Sequence, residues 1–559
     1  MIPDATQLLG RYVSMIKRVL IVGGGVAGWI SAGYLARTLG AQLPDGVRIT
    51  LVESAEIGSS GLGEGTFPTI RQTLRRIGVD ETSLVRECGT SFKQGARFVH
   101  WRYPPGRGRP DHYLHSFQVT HEPAGLDLLP YWLLGVAGQN THWDEVSTPQ
   151  KRVADSGLAP KLIDHPHYEA PLNYAYHFDT LKLAALLRKQ ALSSGVQHVL
   201  DIVDAVNLAE DGSIRSVTAR THGELQADLF IDCTGFRAQL IGAVLGVPYT
   251  SCRSVLFCDT ALAMQVPYER PDEPIASCTI ATAHESGWIW EIGLDGRRGI
   301  GNVYSSDHMD DARAEQLLRA YVDKAGGGRA GHGLTARKIR FEAGYREINW
   351  KKNCIAIGLS GGFFEPLEAT RIGFIEAAAI TLSNLFPWGG DLEMAAKQYN
   401  RIMRRRYERA LDFIKLHYCL SERRDSRFWL DNVDSASIPE SLQELLRMWE
   451  HRPPGSIDID RNVDLFEESS WQYVLYGMGY KTDLRPRAGS LRDYDEARAA
   501  FADIRRQAAL ACRTLPTNRE LIATARARAF GAPEASAARV RRRALPVSMS
   551  AKWKSDRLG

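Results

Sequence analysis

The hydrophobic pattern near the start of the chain predicts a strand, a turn, a helix and a second strand. Residues 17–22 form a short β-branched run of the kind found in strands that are buried on both faces. Three glycines follow, and residues 29–38 have a helical pattern. A second apolar run, residues 47–52, ends in Glu53. The pattern is that of a βαβ unit with a glycine-rich turn after its first strand.

The glycine turn of this unit has the spacing G-x-G-x-x-G, with Gly23, Gly25 and Gly28. We expect Gly23 to allow the tight turn, Gly25 to let a pyrophosphate approach the backbone, and Gly28 to allow close helix–strand packing. The helix start, which includes Ala27, supplies amide donors and a positive dipole end. Glu53 can accept hydrogen bonds from ribose hydroxyls. The pattern therefore predicts a dinucleotide site, and the alternative is a purely structural turn.

Later strand-to-glycine transitions indicate which dinucleotide to expect. Residues 227–235 form an apolar strand that ends in an acid and a small-residue turn, and residues 199–206 predict another strand. Residues 354–362 make a third transition, before a helix predicted over 372–385. These segments resemble the FAD-binding α/β fold of the glutathione-reductase and hydroxylase type, with a Rossmann-like three-layer core. The resemblance implies FAD, with further cofactor-binding residues at Val203, Gly358, Leu359 and Ile372.

Composition and charge exclude several classes of protein. The 559 residues are 44% hydrophobic and 24% charged, which excludes a disordered, collagenous or coiled-coil chain. The net charge of +4 is weak for a nucleic-acid binder, and we find no apolar stretch long enough to span a membrane. The eight cysteines form no C-x-x-C pair, which predicts reduced thiols in a cytoplasmic protein. No metal site is expected, because Asp164-His165-Pro166-His167 has no supporting ligand spacing.

A tryptophan motif indicates what the flavin does. Residues 287–292, Gly-Trp-Ile-Trp-Glu-Ile, match the W-x-W-x-I signature of flavin-dependent halogenases. Other segments that match the same family, in order and approximate spacing, are 61–66, 91–93, 358–360, 364–370, 412–414, 417–418, 428–430 and 515–518. From about residue 17 to 520 the chain resembles the tryptophan-halogenase-like family.

The resemblance implies a reaction and two catalytic residues. Reduced FAD, O2 and a halide, chloride or bromide, would generate hypohalous acid, which travels through an internal tunnel to a lysine beside an aromatic substrate. That lysine is Lys93, which would polarise the halogen by hydrogen bonding or as a haloamine. Glu368 would stabilise the cationic ring and take its proton. Without the motif, Lys93 would be interpreted as a surface charge and Glu368 as a helix-entry carboxylate. The interpretation as a helix-entry carboxylate suits Glu365 better, and we take Glu365 either as structural or as a support for the residues that contact the reactants.

The resemblance also implies three supporting groups of residues. The backbone amides at Thr370 and Arg371 would bind the halide, although Arg371 stands where the family has glycine, so chloride or bromide preference stays open. Two tryptophans, Trp288 and Trp290, would form a wall on the flavin side that keeps the substrate from direct oxygenation. On the substrate side, His115 and Phe117 would stack on the ring. The alternative interpretation is that Trp288, Trp290, His115 and Phe117 are ordinary packing residues of the core.

Residues 453–471 lack the paired tyrosines with which tryptophan halogenases hold the amino-acid part of tryptophan. This argues against free tryptophan and leaves an indole without that group, another electron-rich ring, or a peptide-bound tryptophan. No NAD(P)H site is evident, so a separate NAD(P)H-dependent flavin reductase is expected. Homodimerisation stays open. The alternative functions are an FAD-dependent aromatic monooxygenase and a non-catalytic flavin-binding protein.

The remaining pattern predicts how the chain is divided. Residues 100–180 are rich in aromatics, residues 250–305 predict further strands, and helical runs cover 392–414 and 494–513. The four expected regions are an N-terminal extension (1–15), a discontinuous FAD-binding and halogenation module (16–390), a mostly helical cover of the substrate site (391–520) and a basic flexible tail (521–559).

Overall fold

The computed structural model describes residues 15–56, 61, 63–106, 111–327 and 333–532. The predicted N-terminal extension, apart from Met15, and the predicted tail beyond residue 532 lie outside the described residues. The boundary predicted at residue 521 is too early. Residues Leu521, Ile522 and Phe530 are buried against the body, because a last helix docks there.

Most strands are short, and they belong to five sheets within the described residues. In chain order the strands are β1 (Arg18–Val22), β2 (Arg48–Glu53), β3 (Gly63–Gly65), β4 (Ser91–Lys93), β5 (Gly95–Val99), β6 (His112–Ser116), β7 (Ala175–Asp179), β8 (Gln197–Leu200), β9 (Val203–Leu208), β10 (Ile214–Ala219), β11 (Gly223–Gln226), β12 (Leu229–Asp232), β13 (Thr250–Ser251), β14 (Thr260–Pro267), β15 (Thr279–His284), β16 (Gly287–Gly293), β17 (Arg297–Tyr304), β18 (Arg337–Arg340), β19 (Gly344–Tyr345), β20 (Trp350–Lys351), β21 (Cys354–Ala356) and β22 (Gly362–Phe363).

The helices become longer and more frequent in the second half of the chain. In chain order they are α1 (Val26–Thr38), α2 (Ile70–Ile77), α3 (Glu81–Glu87), α4 (Leu129–Leu133), α5 (Trp143–Val146), α6 (Gln150–Asp155), α7 (Thr180–Ser193), α8 (Asp311–Val322), α9 (Thr370–Asn384), α10 (Leu392–Cys419), α11 (Arg427–Val433), α12 (Glu440–Trp449), α13 (Glu468–Gly477), α14 (Tyr494–Thr514) and α15 (Asn518–Ala527). None of the helices in the described part of the chain combines the length and apolarity needed to cross a membrane.

The predicted βαβ unit forms the centre of a six-stranded sheet. The strand order is β20-β21-β12-β1-β2-β8, and β1 pairs in parallel with both β2 and β12. Because β1 is covered on both faces, Val19 to Val22 are buried, as the apolar run predicts. Helices α7 and α9 pack against α1. The predicted α/β class is therefore confirmed.

One predicted strand is wrong. Residues 199–206 are not a single strand but parts of β8 and β9, which belong to different sheets. The break falls at Asp201, whose carboxylate accepts hydrogen bonds from the backbone N–H groups of Ile202, Thr221 and His222. These bonds hold the chain in a bend, and β9 then pairs with β10 in a separate three-stranded meander.

Two further sheets carry the residues of the halogenase-like motifs. The W-x-W segment lies on β16 in a seven-stranded sheet of order β18-β14-β17-β16-β15-β5-β6. Lys93 ends β4, an edge strand of the sheet β3-β7-β4, and pairs there with Ala175. Helices α10 and α13 pack on each other, and α13 covers β6. The strands of two sheets and the start of α9 therefore meet in one region.

Candidate active site

A cavity of about 620 Å³ runs from the glycine turn to the end of β4. Its wall includes most of the residues that the sequence singles out. The predicted residues that line it are Gly23, Gly25, Ala27, Glu53, Lys93, Val203, Trp288, Trp290, Leu359, Glu368, Arg371 and Ile372. The predicted residues that do not line it are Gly28, His115, Phe117, Gly358 and Thr370. One continuous space therefore connects the dinucleotide motif with the two residues predicted to be catalytic.

The glycines of the turn differ in what a side chain would meet. Gly23 has φ +111°, and an added Cβ would lie 2.3 Å from the carbonyl oxygen of Cys233. At Gly28 an added Cβ would lie 1.9 Å from the carbonyl oxygen of Gly23, so the turn and α1 approach closely. At Gly25 an added Cβ would meet nothing within 4 Å. Gly23 and Gly28 are thus needed for the fold, whereas Gly25 borders open cavity, as a residue beside a pyrophosphate should.

Two other predicted cofactor residues have packing roles that the sequence does not show. The Glu53 side chain covers Gly24, where an added Cβ would lie 1.6 Å from Glu53 Oε2. Glu53 Oε1 also lies 3.0 Å from His198 Nε2. Gly358 has φ +81°, and an added Cβ would lie 2.9 Å from the Cβ of Ala27. Gly358 therefore keeps its loop close to α1 instead of lining the cavity.

Lys93 is a buried lysine at the inner end of the cavity. Its side chain is only 1% exposed, and Nζ lies 5.0 Å from the ring centroid of Phe117, a cation–π contact. Burial lowers the pKa of Lys93 to about 8, and the negative charge of Glu368 partly opposes that shift. An amine with this pKa can be present both charged and neutral near neutral pH, which is rare for an ordinary lysine.

Glu368 is a buried carboxylate bound by two histidines. Oε1 lies 2.6 Å from His115 Nδ1 and 3.1 Å from His417 Nε2. Burial alone would raise the pKa of Glu368, but the charges and hydrogen bonds of His115 and His417 outweigh burial and hold that pKa well below its usual range. The second oxygen, Oε2, is buried without a hydrogen-bond partner in the described part of the chain. The carboxylate is therefore ionised and has one oxygen available.

The two tryptophans of β16 are held differently. Trp288 donates its indole N–H to Glu365 Oε1 at 2.9 Å, and Tyr418 donates its hydroxyl to the same oxygen at 2.5 Å. Burial raises the pKa of Glu365 to about 7, against the opposing effect of these two donors. Trp290 packs over Gly301 on β17, where an added Cβ would lie 2.1 Å from its ring. The cavity wall near the predicted flavin position is thus aromatic and fixed.

The start of α9 carries the residues predicted to bind halide. Thr370 is buried, and its Oγ1 has no hydrogen-bond partner among the described residues. The first amides of a helix also lack partners within the helix. The Arg371 guanidinium is not an unpaired charge in the cavity wall. It forms an ion pair with both carboxylate oxygens of Glu64, at 2.5 and 2.7 Å. Glu64 itself lines the cavity.

The residues predicted on the substrate side lie behind Lys93 and Glu368. The His115 ring is hydrogen-bonded to Glu368. The centroid of the same ring lies 6.3 Å from the centroid of the Phe117 ring. Phe413 lies 5.7 Å from His115 and stacks on Phe466 at 3.8 Å. The structure therefore brings His115 and Phe117 together in an aromatic box, while it gives His115 a hydrogen-bonding task that the sequence did not predict.

Sequence reasoning missed two residues of this site. His417 lies in one of the family segments, and its ring contacts Glu368. Glu64 lies in the glycine-rich segment 61–66, and its carboxylate pairs with Arg371. The sequence feature that could identify both residues is a titratable side chain within a motif that otherwise consists of glycines or core residues.

These observations define a class. A glycine-rich βαβ turn, the open space beside Gly25 and a cavity of about 620 Å³ that continues to the start of α9 fit a bound dinucleotide. Within the described residues we find no group of three or more side chains arranged to hold a metal ion. The fold and the site are those of a flavin-dependent enzyme.

Comparison with known proteins gives the family. Residues 18–492 match the family model described as tryptophan halogenase. The chain therefore belongs to the tryptophan halogenase family of flavin-dependent enzymes, which confirms the family resemblance seen in the sequence.

Three relatives illustrate the similarity. The crystal structure of tryptophan halogenase from Shewanella frigidimarina NCIMB 400 superposes with a TM-score of 0.89 at 40% identity, covering 93% of this chain and 99% of that one. Tryptophan 6-halogenase SttH from Streptomyces toxytricini is 35% identical, over 90% of this chain and 98% of its own length. 7-chloro-L-tryptophan 6-halogenase KtzR from Kutzneria sp. (strain 744) is 34% identical, over 91% and 99%.

Proposed function

We propose that this protein uses FADH2, O2 and chloride or bromide to halogenate an indole-type ring, with Lys93 and Glu368 as the catalytic residues. The observation that carries the proposal is the single cavity that joins the glycine turn at Gly25 to both side chains. The names of the relatives, which act on tryptophan or on a chlorinated tryptophan, support an indole ring as the acceptor.

The cofactor residues divide by task. The amides of α1 and the open space beside Gly25 would hold the pyrophosphate, while Glu53 would take the ribose. Val203, Leu359 and Ile372 would line the flavin-binding part of the cavity. Bound FADH2 would supply two electrons to O2, and O2 would take the other two from the halide, which becomes hypohalous acid while the second oxygen atom leaves as water. Thr370 and the first amides of α9 would hold the halide.

Lys93 would activate the halogen. As an ammonium, Nζ donates a hydrogen bond to the oxygen of hypohalous acid, which makes the halogen more electrophilic. As a neutral amine, nitrogen attacks the halogen, the oxygen–halogen bond breaks, and the oxygen leaves with a proton as water. Because burial lowers the pKa of Lys93 to about 8, both protonation states are accessible near neutral pH.

Glu368 would complete the substitution. When the ring carbon bonds to halogen, the ring becomes cationic, and an ionised carboxylate stabilises it. The ring C–H bond then breaks, its electron pair restores aromaticity, and the proton goes to the carboxylate, which is general-base catalysis. Trp288 and Trp290 would keep the substrate from the flavin, so that hypohalous acid and not the flavin delivers the oxidising equivalent.

The loop before α13 favours a substrate without a free amino-acid group. Three of its four acids are paired: Asp458 with Arg452 at 2.7 Å, Asp460 with Arg405 at 3.7 Å and Asp464 with Arg409 at 3.6 Å. Phe466 of the same loop stacks on Phe413. Because these charges are neutralised within the protein and the nearby wall is aromatic, the loop suits an indole better than a zwitterion.

The test is a halogenation assay with reduced flavin supplied by a separate NAD(P)H-dependent flavin reductase. The purified protein receives FAD, O2 and either chloride or bromide, with indole, tryptophan, a tryptophan-containing peptide and a phenol as substrates. Mass spectrometry should show halogenated indole, and Lys93→Ala should lose halogenation while FADH2 is still oxidised. Products that gain oxygen instead of halogen would point to an aromatic monooxygenase. If no substrate changes and FAD binds, the protein is a non-catalytic flavin binder.

A further inference from the structure

Glu368 occupies a backbone conformation that residues with side chains rarely adopt. Its φ is +60°, and that of the next residue, Ala369, is +55°. Left-handed conformations cost non-glycine residues free energy, and they persist where the surrounding structure holds them. Here the bend immediately precedes α9 and directs the Glu368 side chain toward the two histidines.

Both histidines bind the same oxygen of Glu368. His115 reaches Oε1 from β6, and His417 reaches it from α10. The other oxygen, Oε2, has no partner among the described residues, and the glutamate lines the cavity. The two oxygens are therefore not equivalent: Oε1 is fully used by the protein, and only Oε2 is left for a substrate.

The contacts of His417 determine how many protons its ring carries. Nδ1 lies 2.9 Å from the carbonyl oxygen of Phe413, and Nε2 lies 3.1 Å from Glu368 Oε1. A carbonyl oxygen and an ionised carboxylate oxygen are both acceptors, so each ring nitrogen must donate. A neutral imidazole has one N–H, whereas an imidazolium has two. The geometry therefore requires the charged ring as long as Glu368 is ionised.

Among the described residues, Glu368 is the one carboxylate that pairs with His417. The side chain is fully buried, with the rings of Phe98 and Phe413 at 4.7 and 5.3 Å and that of Trp101 at 6.0 Å. A buried charge is costly unless a charge of opposite sign and hydrogen bonds compensate it. Glu368 supplies the charge and one bond, and the Phe413 carbonyl supplies the other.

We propose that His417 is a positioning residue that carries protons on both ring nitrogens, and that His417 and His115 together hold Oε1 of Glu368 so that Oε2 alone takes the proton of the halogenated ring. The inference rests on the proposed function for that last step. It assigns an electrostatic role to a histidine that touches neither the predicted flavin position nor Lys93.

The pH dependence of the reaction follows from the charges around His417. Among the described residues, the titratable groups next to Glu368 and the two histidines are Lys93, Tyr113 and Tyr473. Beyond them lie Cys278 and His177, which interact with Lys93, and Glu365, Lys415 and Tyr418, which interact with one another. Loss of the His417 charge raises the pKa of Glu368, because a compensating positive charge disappears. It also raises the pKa of Lys93, because a like charge disappears. Both effects have the same sign.

The charge on His417 can be measured without any turnover. We would record nitrogen-15 NMR spectra of the protein labelled in its 15 histidines and assign His417 from its loss in His417→Gln. Two protonated ring nitrogens at pH 7 are the expected result. A neutral ring, which would mean that Glu368 itself holds the proton, overturns the proposal. Glu368→Gln supplies a second test, because the same signal should become neutral when the counter-charge is removed.

The role in the reaction is tested with the pH profile of halogenation. Gln at position 417 can still donate one hydrogen bond but carries no charge, so His417→Gln should move the profile to higher pH by roughly one unit. The matched control is His308→Gln. His308 also pairs with a carboxylate, Asp431 at 3.0 Å, but lies outside the cavity wall, and its loss should not move the profile.

The possible outcomes distinguish a failure of the positioning role of His417 from a failure of the proposed halogenase function. A His417→Gln profile that is lowered at every pH without moving means that His417 is only structural, and this overturns the positioning role. If the wild-type protein shows the charged ring but halogenates nothing, the proposed function fails while the protonated His417 stands. A moved profile together with the charged ring supports both.

Discussion

Trp288 donates its indole N–H to Glu365 at 2.9 Å, and this contact joins β16 to the segment that leads into α9. The acceptor oxygen also receives the Tyr418 hydroxyl from α10. Glu365 therefore holds Trp288, an aromatic side chain of the cavity wall, in one orientation.

Replacing Glu365 should loosen that wall. Glu365→Leu leaves the Trp288 N–H and the Tyr418 hydroxyl without an acceptor in a buried site, at a cost of about 1–3 kcal/mol for each group. We expect a lower thermal unfolding temperature and less halogenated product per FADH2 oxidised. Glu365→Gln keeps a carbonyl acceptor and should retain more of both properties. Equal product yields in the two variants would contradict an orienting role for this acceptor.

Burial of Lys93 should make the stability of the protein depend on pH in the alkaline range. The pKa of Lys93 is about 8 in the folded protein and near 10.5 when the chain is unfolded. Between these values the unfolded state binds the extra proton, so the free energy of unfolding rises with pH. The gain approaches about 3 kcal/mol above pH 10.5 and is absent below pH 8.

The comparison that isolates this effect is wild type against Lys93→Met. Other groups that titrate in this range contribute to both proteins, so the difference between their free energies of unfolding should shift in favour of wild type as pH rises. Denaturant unfolding at pH 7, 9 and 10 measures it. A difference that stays constant over that range would mean that the Lys93 amine keeps its ordinary pKa.

Arg371 and Glu64 should control halide affinity as a pair. Both side chains are about a quarter exposed, with 26% and 24% of their surface accessible, so solvent partly screens their charges. Arg371→Ala leaves the Glu64 carboxylate unpaired near the proposed halide site and should raise the KM for bromide roughly five-fold, or about 1 kcal/mol. Glu64→Gln frees the guanidinium and should lower that KM.

The double variant Arg371→Ala/Glu64→Gln decides between charge and shape. It removes both charges, so the KM for bromide should return close to that of the wild type. Steady-state kinetics at varied bromide, with indole in excess, gives the three values. If the double variant is as impaired as Arg371→Ala, the effect comes from the size of the arginine side chain and not from its charge.

Two glycines of the turn should respond differently to the same substitution. Gly25→Ala places a methyl group in open cavity and should leave the unfolding temperature unchanged while weakening FAD binding. Gly23→Ala forces a methyl group to 2.3 Å from a backbone oxygen at a φ that disfavours side chains, so it should destabilise the fold by more than about 1–2 kcal/mol. Thermal unfolding and flavin fluorescence titration measure both. A destabilised Gly25→Ala would place this glycine in the packed turn.

The parts of the fold that follow from contiguous residues could be predicted. The apolar run of β1, the glycine turn and α1 follow one another directly, so local periodicity and three glycines suffice. Residues 199–206 could not be divided correctly, because an apolar run shows where a strand can form but not which sheet receives it. The division between β8 and β9 depends on Asp201, because its carboxylate accepts hydrogen bonds from the backbone N–H groups of residues 221 and 222.

By itself, the sequence determined the class of fold, the family and the residue types available for the chemistry, because short motifs carry that information locally. Only the tertiary structure decided what those residues do to one another. Glu368 and His115 are 253 residues apart, and Arg371 and Glu64 are 307 apart, so no local pattern could pair them. The protonation of Lys93 and Glu368 is also a tertiary property, since it depends on burial and on charges brought close only when the sheets and α10 pack together.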